Sequence, residues 1–478
     1  MSAKERKGVS GGLQLRTLGH ACLTLYQKGE NPLLLTDPWL VGSVYWRSWW
    51  LENYPSPEEI DWLVGSSFVY VTHEHPDHFH TPSIRRIGRG PTYLFPALAE
   101  RGYLDYMKSR GYRAEAVTPL HWRALNDQIS ILSLPLWNDD SLLLVDTPGA
   151  LILNLNDAKP LPPVLKAIRR LADRIGKPRV LLCSYSPASV VNSFLDESGV
   201  VSLKPQRHYV DYVCRLSDAL GVDVYLPFAS QAVFRRADSC WANDYRTTYD
   251  HLRQYWCACA RLLPPYTTLD LEEFTYRSTS PEQYRPMEPT RLTALTRRRS
   301  TAEETAYVSP EDVAGVERKL NAFRCLLWLM FPRGFTLRFG ERYFKYEAWR
   351  GRLRDGDNVA DRGDFIVAVP KLTIKEAVRN DHLTDLGITM FVRIRLLKRL
   401  DPRKVYALFV LFQFDDYGHL RSISSLLRWL RCGIRYSLFN LSPPATPSNR
   451  GNVTRFACRG ALGACDADPP PADGVARG

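Results

Sequence analysis

Residues 69–80 read Val-Tyr-Val-Thr-His-Glu-His-Pro-Asp-His-Phe-His, and no other stretch limits the fold of this chain so tightly. β-Favouring residues run to Thr72, and Pro76 then shapes a loop. His73, His75, Asp77 and His78 place four metal-binding side chains within six residues. Imidazole suits zinc, iron and manganese, and a carboxylate adds a hard oxygen ligand. On an extended backbone His73 and His75 point to one side. Asp77 and His78 are adjacent, so only a tight turn after Pro76 brings both to one ion. The simplest arrangement is two neighbouring metal sites, one per pair. Two such metals hold a hydroxide and polarise a substrate oxygen. Histidine is scarce, 10 in 478 residues, and His73, His75, His78 and His80 fall together, which argues against a chance surface cluster.

Other segments carry the same chemistry. The apolar run Leu33-Leu34-Leu35 leads into Thr36-Asp37-Pro38-Trp39. Asp37 reads either as a turn residue before proline or as an outer partner of the metal loop. His20, within Leu18-Gly19-His20-Ala21, is a turn histidine or lies near the metals. Trp39, Trp46, Trp49 and Trp50 either wall the mouth of a site or pack in the core. Residues 129–135, 141–145 and 150–155 read as strands, the last two joined by the turn Asp146-Thr-Pro-Gly149 and ending at Asn156-Asp157.

The His-x-His-x-Asp-His run, Gly-His-Ala and the placement of Asp37 together resemble the metallo-β-lactamase-fold superfamily. Leu153–Asp157, Cys183-Ser-Tyr-Ser-Pro187, Pro227-Phe-Ala-Ser230 and Trp241–Tyr245 resemble the metallo-β-lactamase-like part of the CMP-N-acetylneuraminate hydroxylase family and its bacterial metallo-hydrolase relatives. The resemblance covers about residues 13–260. It implies a four-layer αββα sandwich, with His73, His75, Asp77, His78 and Asp157 as metal ligands. Asp77 and Asp157 would also be catalytic, and Asp37 and His20 would stand behind the ligands. Two positions usual in the superfamily lack histidine. One follows the strand ending at Pro135, where Leu136-Trp-Asn-Asp-Asp140 stands; the other follows Val222–Leu226. Asn138, Asp139 or Asp140 could substitute as oxygen ligands, which favours iron or manganese over zinc. The hydroxylases also carry a Rieske module, and residues before 13 hold neither the cysteines nor the histidines it needs.

The expected organisation is a metallo-β-lactamase-like domain at 13–263, a linker at 264–315, a smaller α/β domain at 316–440 and a disordered tail at 441–478. Within the smaller domain, 364–370 and 387–393 read as strands. Its order resembles sterol-carrier-like accessory domains, implying substrate binding or dimerisation. The net charge of +12 fits a basic face meeting an acidic or sugar-derived small molecule. The charge is dispersed, so no nucleic acid is expected. Scattered cysteines and the lack of an apolar leader lead us to expect a cytoplasmic protein without a transmembrane segment. The cofactor is one or two divalent metals: zinc, iron or manganese. The expected function is metal-dependent hydrolysis of an ester, lactone, amide or phosphodiester by metal-bound hydroxide. Two alternatives stand: an iron-dependent oxidoreductase subunit served by a separate electron-transfer protein, and a non-catalytic binding protein with a degraded metal site.

Overall fold

The computed structural model describes residues 12–98, 102–187, 194–196, 199–200, 204–356, 363–397 and 400–437. The expected tail at 441–478 lies outside them. Two large sheets face each other. The first runs Tyr276–Ser278, Thr267–Asp270, Leu13–Leu18, Cys22–Gln27, Leu34–Thr36, Phe68–Tyr70, Thr92–Pro96, Ala114–Val117. The second runs Arg261–Leu262, Val224–Pro227, Arg179–Cys183, Leu151–Asn156, Ser141–Asp146, Ser130–Pro135, Trp122–Ala124.

Period-two burial sorts the side chains into layers. Leu143, Val145 and Ile152 join Leu15, Leu25 and Tyr70 between the sheets. Their neighbours Leu142, Leu144, Leu151 and Leu153 face outward, against helices Pro162–Ile175 and Gln206–Leu220. Both faces are covered, so these strands read as unbroken apolar runs rather than alternating ones. The other side of the first sheet packs Val69, Val71, Tyr93 and Phe95 on Ile60, Ile84 and Leu104 from three helices. The architecture is therefore the expected αββα sandwich.

Local signals explain the helices. Pro162 opens its helix, Gly176 closes it at φ 75°, and Val164, Ile168, Leu171 and Ala172 make one buried stripe. Strands Leu34–Thr36, Phe68–Tyr70 and Thr92–Pro96 are mutually parallel, as are Leu151–Asn156, Arg179–Cys183 and Val224–Pro227. The loops after their carboxyl ends meet at one edge of the sandwich.

A third sheet runs Gly199–Val200, Phe194–Asp196, Arg393–Leu396, Phe365–Val369, Phe335–Phe339, Arg342–Glu347, Arg352–Asp355. Phe194 enters it from the sandwich half of the sequence, paired with Ile394. Its core holds Leu320, Leu327, Ile374 and Val405 from four helices.

Two expectations are corrected. Residues 264–315 are not a bare linker. Thr267–Asp270 pairs with Leu13–Leu18 in the first sheet, and Pro289–Thr305 is a helix. The helix gives no periodic apolar signal because its one buried residue is Glu303. That carboxylate accepts from the backbone of Leu372 and Thr373 at 2.7 and 3.0 Å, capping a helix whose own N-cap, Pro370, offers no side-chain bond. The strand expected at 387–393 is instead a tight 3₁₀ turn, Thr384–Ile388, followed by a strand at Arg393–Leu396. Trp49, Ser48 and Trp241 donate to the carbonyls of Ile388, Thr389 and Met390, so side chains take bonds a neighbouring strand would have made.

Gly149 tests how closely residues 264–279 are built in. A Cβ there would meet the Leu271 carbonyl oxygen at 2.0 Å. Gly149→Ala is expected to cost about 1–3 kcal/mol, read as a lower urea midpoint with an unchanged slope.

Candidate metal centre

The centre lies where the parallel strands end. Thr36 closes strand Leu34–Thr36 of the first sheet, and Asp37 follows at φ 39°. Its carboxylate is fully buried and spent on the metal loop. Thr72 donates to it through N (2.7 Å) and Oγ1 (2.8 Å), and His78 Nδ1 lies at 3.1 Å. Thr72 Oγ1 is also 3.0 Å from His73 Nδ1. The network is satisfied when His73 and His78 both carry their proton on Nδ1, which turns Nε2 of each inward.

The loop folds so that the rings of His73 and His75 lie 4.7 Å apart and those of His73 and His78 4.0 Å apart. Three groups of ligand-type atoms result, each within 4.8 Å: His73, His75 and Asp140; His20, Asp77 and His78; His73, His78 and Asp157. The motif thus divides into the two pairs its spacing suggests, with Asp157 beside both.

Each further member has a structural origin. Asp157 follows a register shift between Asn154 and Asn156, and Asn156 sits at φ 40°. Asp157 Oδ2 is 3.1 Å from His78 Nε2. Asp140 comes from the segment without histidine after Pro135, and Asn138 Nδ2 donates to it at 2.7 Å. His20 Nε2 lies 3.3 Å from Asp77 Oδ2. His20, expected behind the ligands, lies close enough to Asp77 and His78 to form a candidate ligand group with them. Ala229, in the other segment without histidine, donates its N–H to the His20 carbonyl at 2.9 Å. Tyr45, in the tryptophan-rich loop, donates to Asp77 Oδ1 at 2.6 Å. Trp39 and Trp49 flank the His20 ring at 5.7 and 6.0 Å. His80 joins none of these groups; its Nδ1 bonds Ser83 Oγ at 2.8 Å.

Electrostatics prepare the groups for a cation. Burial, then the facing His78, pushes His73 down to about 4, leaving a neutral imidazole at neutral pH. Burial, then His73, lowers His75. Burial alone would raise the Asp77 carboxyl, but His78 and the hydrogen bond from His20 hold it well below the usual range. Burial would lower His78; Asp77 and Asp37 outweigh it and raise the ring well above its ordinary value. Positive charge is therefore favoured there. His73 Nε2 and His20 Nδ1 are buried without a hydrogen-bond partner among the described residues. A buried imidazole nitrogen left so costs about 1–3 kcal/mol, and a metal ion would satisfy it. The donor set fits one.

The later part of the chain reaches the centre, which sequence reasoning missed. Tyr417 OH lies 3.2 Å from His75 Nε2, and His419 bonds Asp139. Burial pushes Asp385, which faces His75 and Asp77, up to about 6. The one signal was a scarce histidine, His419, just after the turn at 415–418. A pocket of about 290 Å³ opens beside His75, Asp77, Asp140 and Asp157. Its lining includes the polar Lys159, Ser184 and Ser186 and the apolar or aromatic Ile388, Tyr406 and Phe409. No helix among the described residues is long and apolar enough to cross a membrane.

No family model matches the chain. Over 256 residues it is 25% identical to the inactive cytidine monophosphate-N-acetylneuraminic acid hydroxylase of Homo sapiens, covering 50% of this chain and 49% of that protein. Over 158 residues it is 27% identical to the cytidine monophosphate-N-acetylneuraminic acid hydroxylase of Danio rerio, covering 31% of this chain and 26% of that protein. The matches thus span about half the length of these curated relatives, or less. Among solved structures, the metallo-beta-lactamase fold protein YhfI from Bacillus subtilis aligns at 11% identity and a TM-score of 0.33, over 53% of this chain and 96% of that one. The resemblance to the sialate hydroxylases read from the sequence is found in these partial matches.

Outer partners such as Asp37 commonly tune metal affinity 10–100-fold. Asp37→Asn is expected to weaken metal binding by about that factor while leaving the fold intact. Titration with a chromophoric chelator, alongside circular dichroism, measures both.

Proposed function

We propose that the chain is a metal-dependent enzyme with a two-site centre of histidines and aspartates suited to iron, which hydroxylates an anionic, sugar-derived small molecule. One observation carries the reading: each outer group pairs two histidines with one aspartate, His73 and His75 with Asp140, His20 and His78 with Asp77. Two histidines and one carboxylate with open positions is the ligand set of non-haem iron oxygenases. The hydroxylase names of the curated relatives agree with it.

In this reading the six residues would hold two ions, with Asp157 beside His73 and His78. Bound iron supplies activation of dioxygen. The balance is R–H, dioxygen, two electrons and two protons giving R–OH and water. The electrons come from a separate electron-transfer protein. The chain's own residues do the rest. Asp37 and Thr72 fix the imidazole tautomers, and Tyr45 orients Asp77. Lys159 would attract the substrate's negative charge, and Trp137 and Tyr406, exposed aromatics of the pocket lining, offer apolar surface to its ring.

Hydrolysis of an ester, lactone, amide or phosphodiester is the second reading. It is favoured by the position of Asp157, whose side chain is 31% exposed at the pocket and can orient a water.

Elemental mass spectrometry of untagged protein purified without chelators separates the readings. About two irons per chain are expected, lost in His75→Ala, Asp77→Ala and Asp157→Ala, with oxygen uptake when an iron–sulfur reductase and an acidic sugar are supplied. Retained metal in both His75→Ala and Asp77→Ala would sink the ligand assignment. Zinc alone, with ester cleavage and no oxygen uptake, would move the function to hydrolysis.

A further inference from the structure

We propose that residues 413–419 form a strap from the later part of the chain that positions one of the two metal groups, His73/His75/Asp140, and not the other. The inference rests on the metal-centre reading above and concerns how the centre is held.

Three contacts fall within this short segment, at the end of helix Pro402–Asp416 and the turn after it. Gln413 Nε2 donates to the Asn138 carbonyl at 3.2 Å, and Asn138 in turn donates to Asp140. Tyr417 OH meets His75 Nε2 at 3.2 Å, which leaves Nδ1 of that ring for a metal. His419 is buried and bonds Asp139, the residue before Asp140. An aromatic clamp backs them. Phe414 lies between Trp137 (6.2 Å) and Trp429 (4.9 Å), and Trp429 Nε1 donates to the Trp137 carbonyl at 2.7 Å.

All these contacts bear on His75 or on the 137–140 loop. By contrast, Asp77 and His78 bond Tyr45, His20, Asp37 and Asp157, all within the sandwich half of the sequence. The asymmetry has a chemical reason. An aspartate is shorter than a histidine, so a loop offering Asp140 must come closer to the ion. Asp139 takes a left-handed backbone at φ 64°, which a non-glycine residue adopts at some strain. The His419 bond to its carboxylate and the aromatic clamp hold that loop in place. Tyr417, Gln413 and His419 are therefore positioning residues, acting through His75 and Asp140.

The test uses the full chain loaded with cobalt(II), whose visible bands report the geometry of each ion. Tyr417→Phe, Gln413→Ala and His419→Ala are each expected to weaken one of two bound ions about 10–100-fold and to shift one set of bands. Tyr45→Phe should shift the other set. His419→Gln, which keeps a donor toward Asp139, should restore much of the loss. Unchanged bands and affinities in Tyr417→Phe and His419→Ala, or equal loosening of both ions, would overturn the strap while leaving the centre standing. Wild-type protein that binds no cobalt would overturn both. If His419→Ala does not fold, Tyr417→Phe decides alone, since it removes a single oxygen.

Discussion

The buried carboxylate of Asp37 is the constraint on which the site depends. A charge taken fully out of water is expensive unless every lone pair is used. Here Thr72 gives it two hydrogen bonds and His78 a third. Those bonds decide the path of the chain after Tyr70. They pull Thr72 beneath the loop, turn His78 Nε2 away from Asp37, and through the Thr72 hydroxyl fix His73 as well. One aspartate at the end of a short strand thus sets the direction of two ligands that follow it by more than thirty positions. Strain at Asp37, φ 39°, is consistent with a residue held by its bonds rather than by local preference.

The charge balance follows. Burial keeps His73 and His75 neutral, while Asp77 remains ionised deep in the protein. Asp157 and Asp140 add further carboxylates on the same small volume. Burial raises the Asp140 carboxyl, and the raised His78 ring balances Asp77 and Asp37, so a bound cation would take over a charge balance that His78 now carries. Each of the three groups sets two imidazole nitrogens beside one carboxylate oxygen, a donor set that suits a divalent transition metal. The unpartnered Nε2 of His73 says the same from the neutral side.

The sandwich was legible because its strands are buried on both faces, so Ile129–Pro135, Ser141–Val145 and Ala150–Leu155 stand out as apolar runs between turns. The histidine loop was legible because its ligands are consecutive. The long-range members were legible only as alternatives. His20 and Asp140 reach the centre from segments more than fifty residues before and after the motif, and the sequence offered each beside other readings, His20 as a turn histidine and Asp140 as one of three possible oxygen ligands. Helix Pro289–Thr305 was hidden because it buries a glutamate rather than an apolar stripe. The misread strand at 387–393 has the residue types of a strand, but its carbonyls are claimed by Ser48, Trp49 and Trp241, a tertiary override of local preference.

Those same three side chains show why the later part of the chain is more than an attachment. Their bonds seat the turn at Thr384–Ile388 against the tryptophan-rich loop, and that turn then lines the pocket beside Tyr406 and Phe409. The candidate ligand groups come from the sandwich, whereas much of the apolar lining of the pocket comes from residues 384–413. The candidate ligands and the apolar lining are thereby placed on different parts of one chain. Changes at Ile388, Tyr406 or Phe409 can reshape the cavity without touching a ligand. Changes near Tyr417 cannot, because there the second part bears directly on His75. Helix Pro402–Asp416 joins the two: Tyr406, Phe409, Val410 and Gln413 line the pocket, and Tyr417 just after it meets the candidate ligand His75.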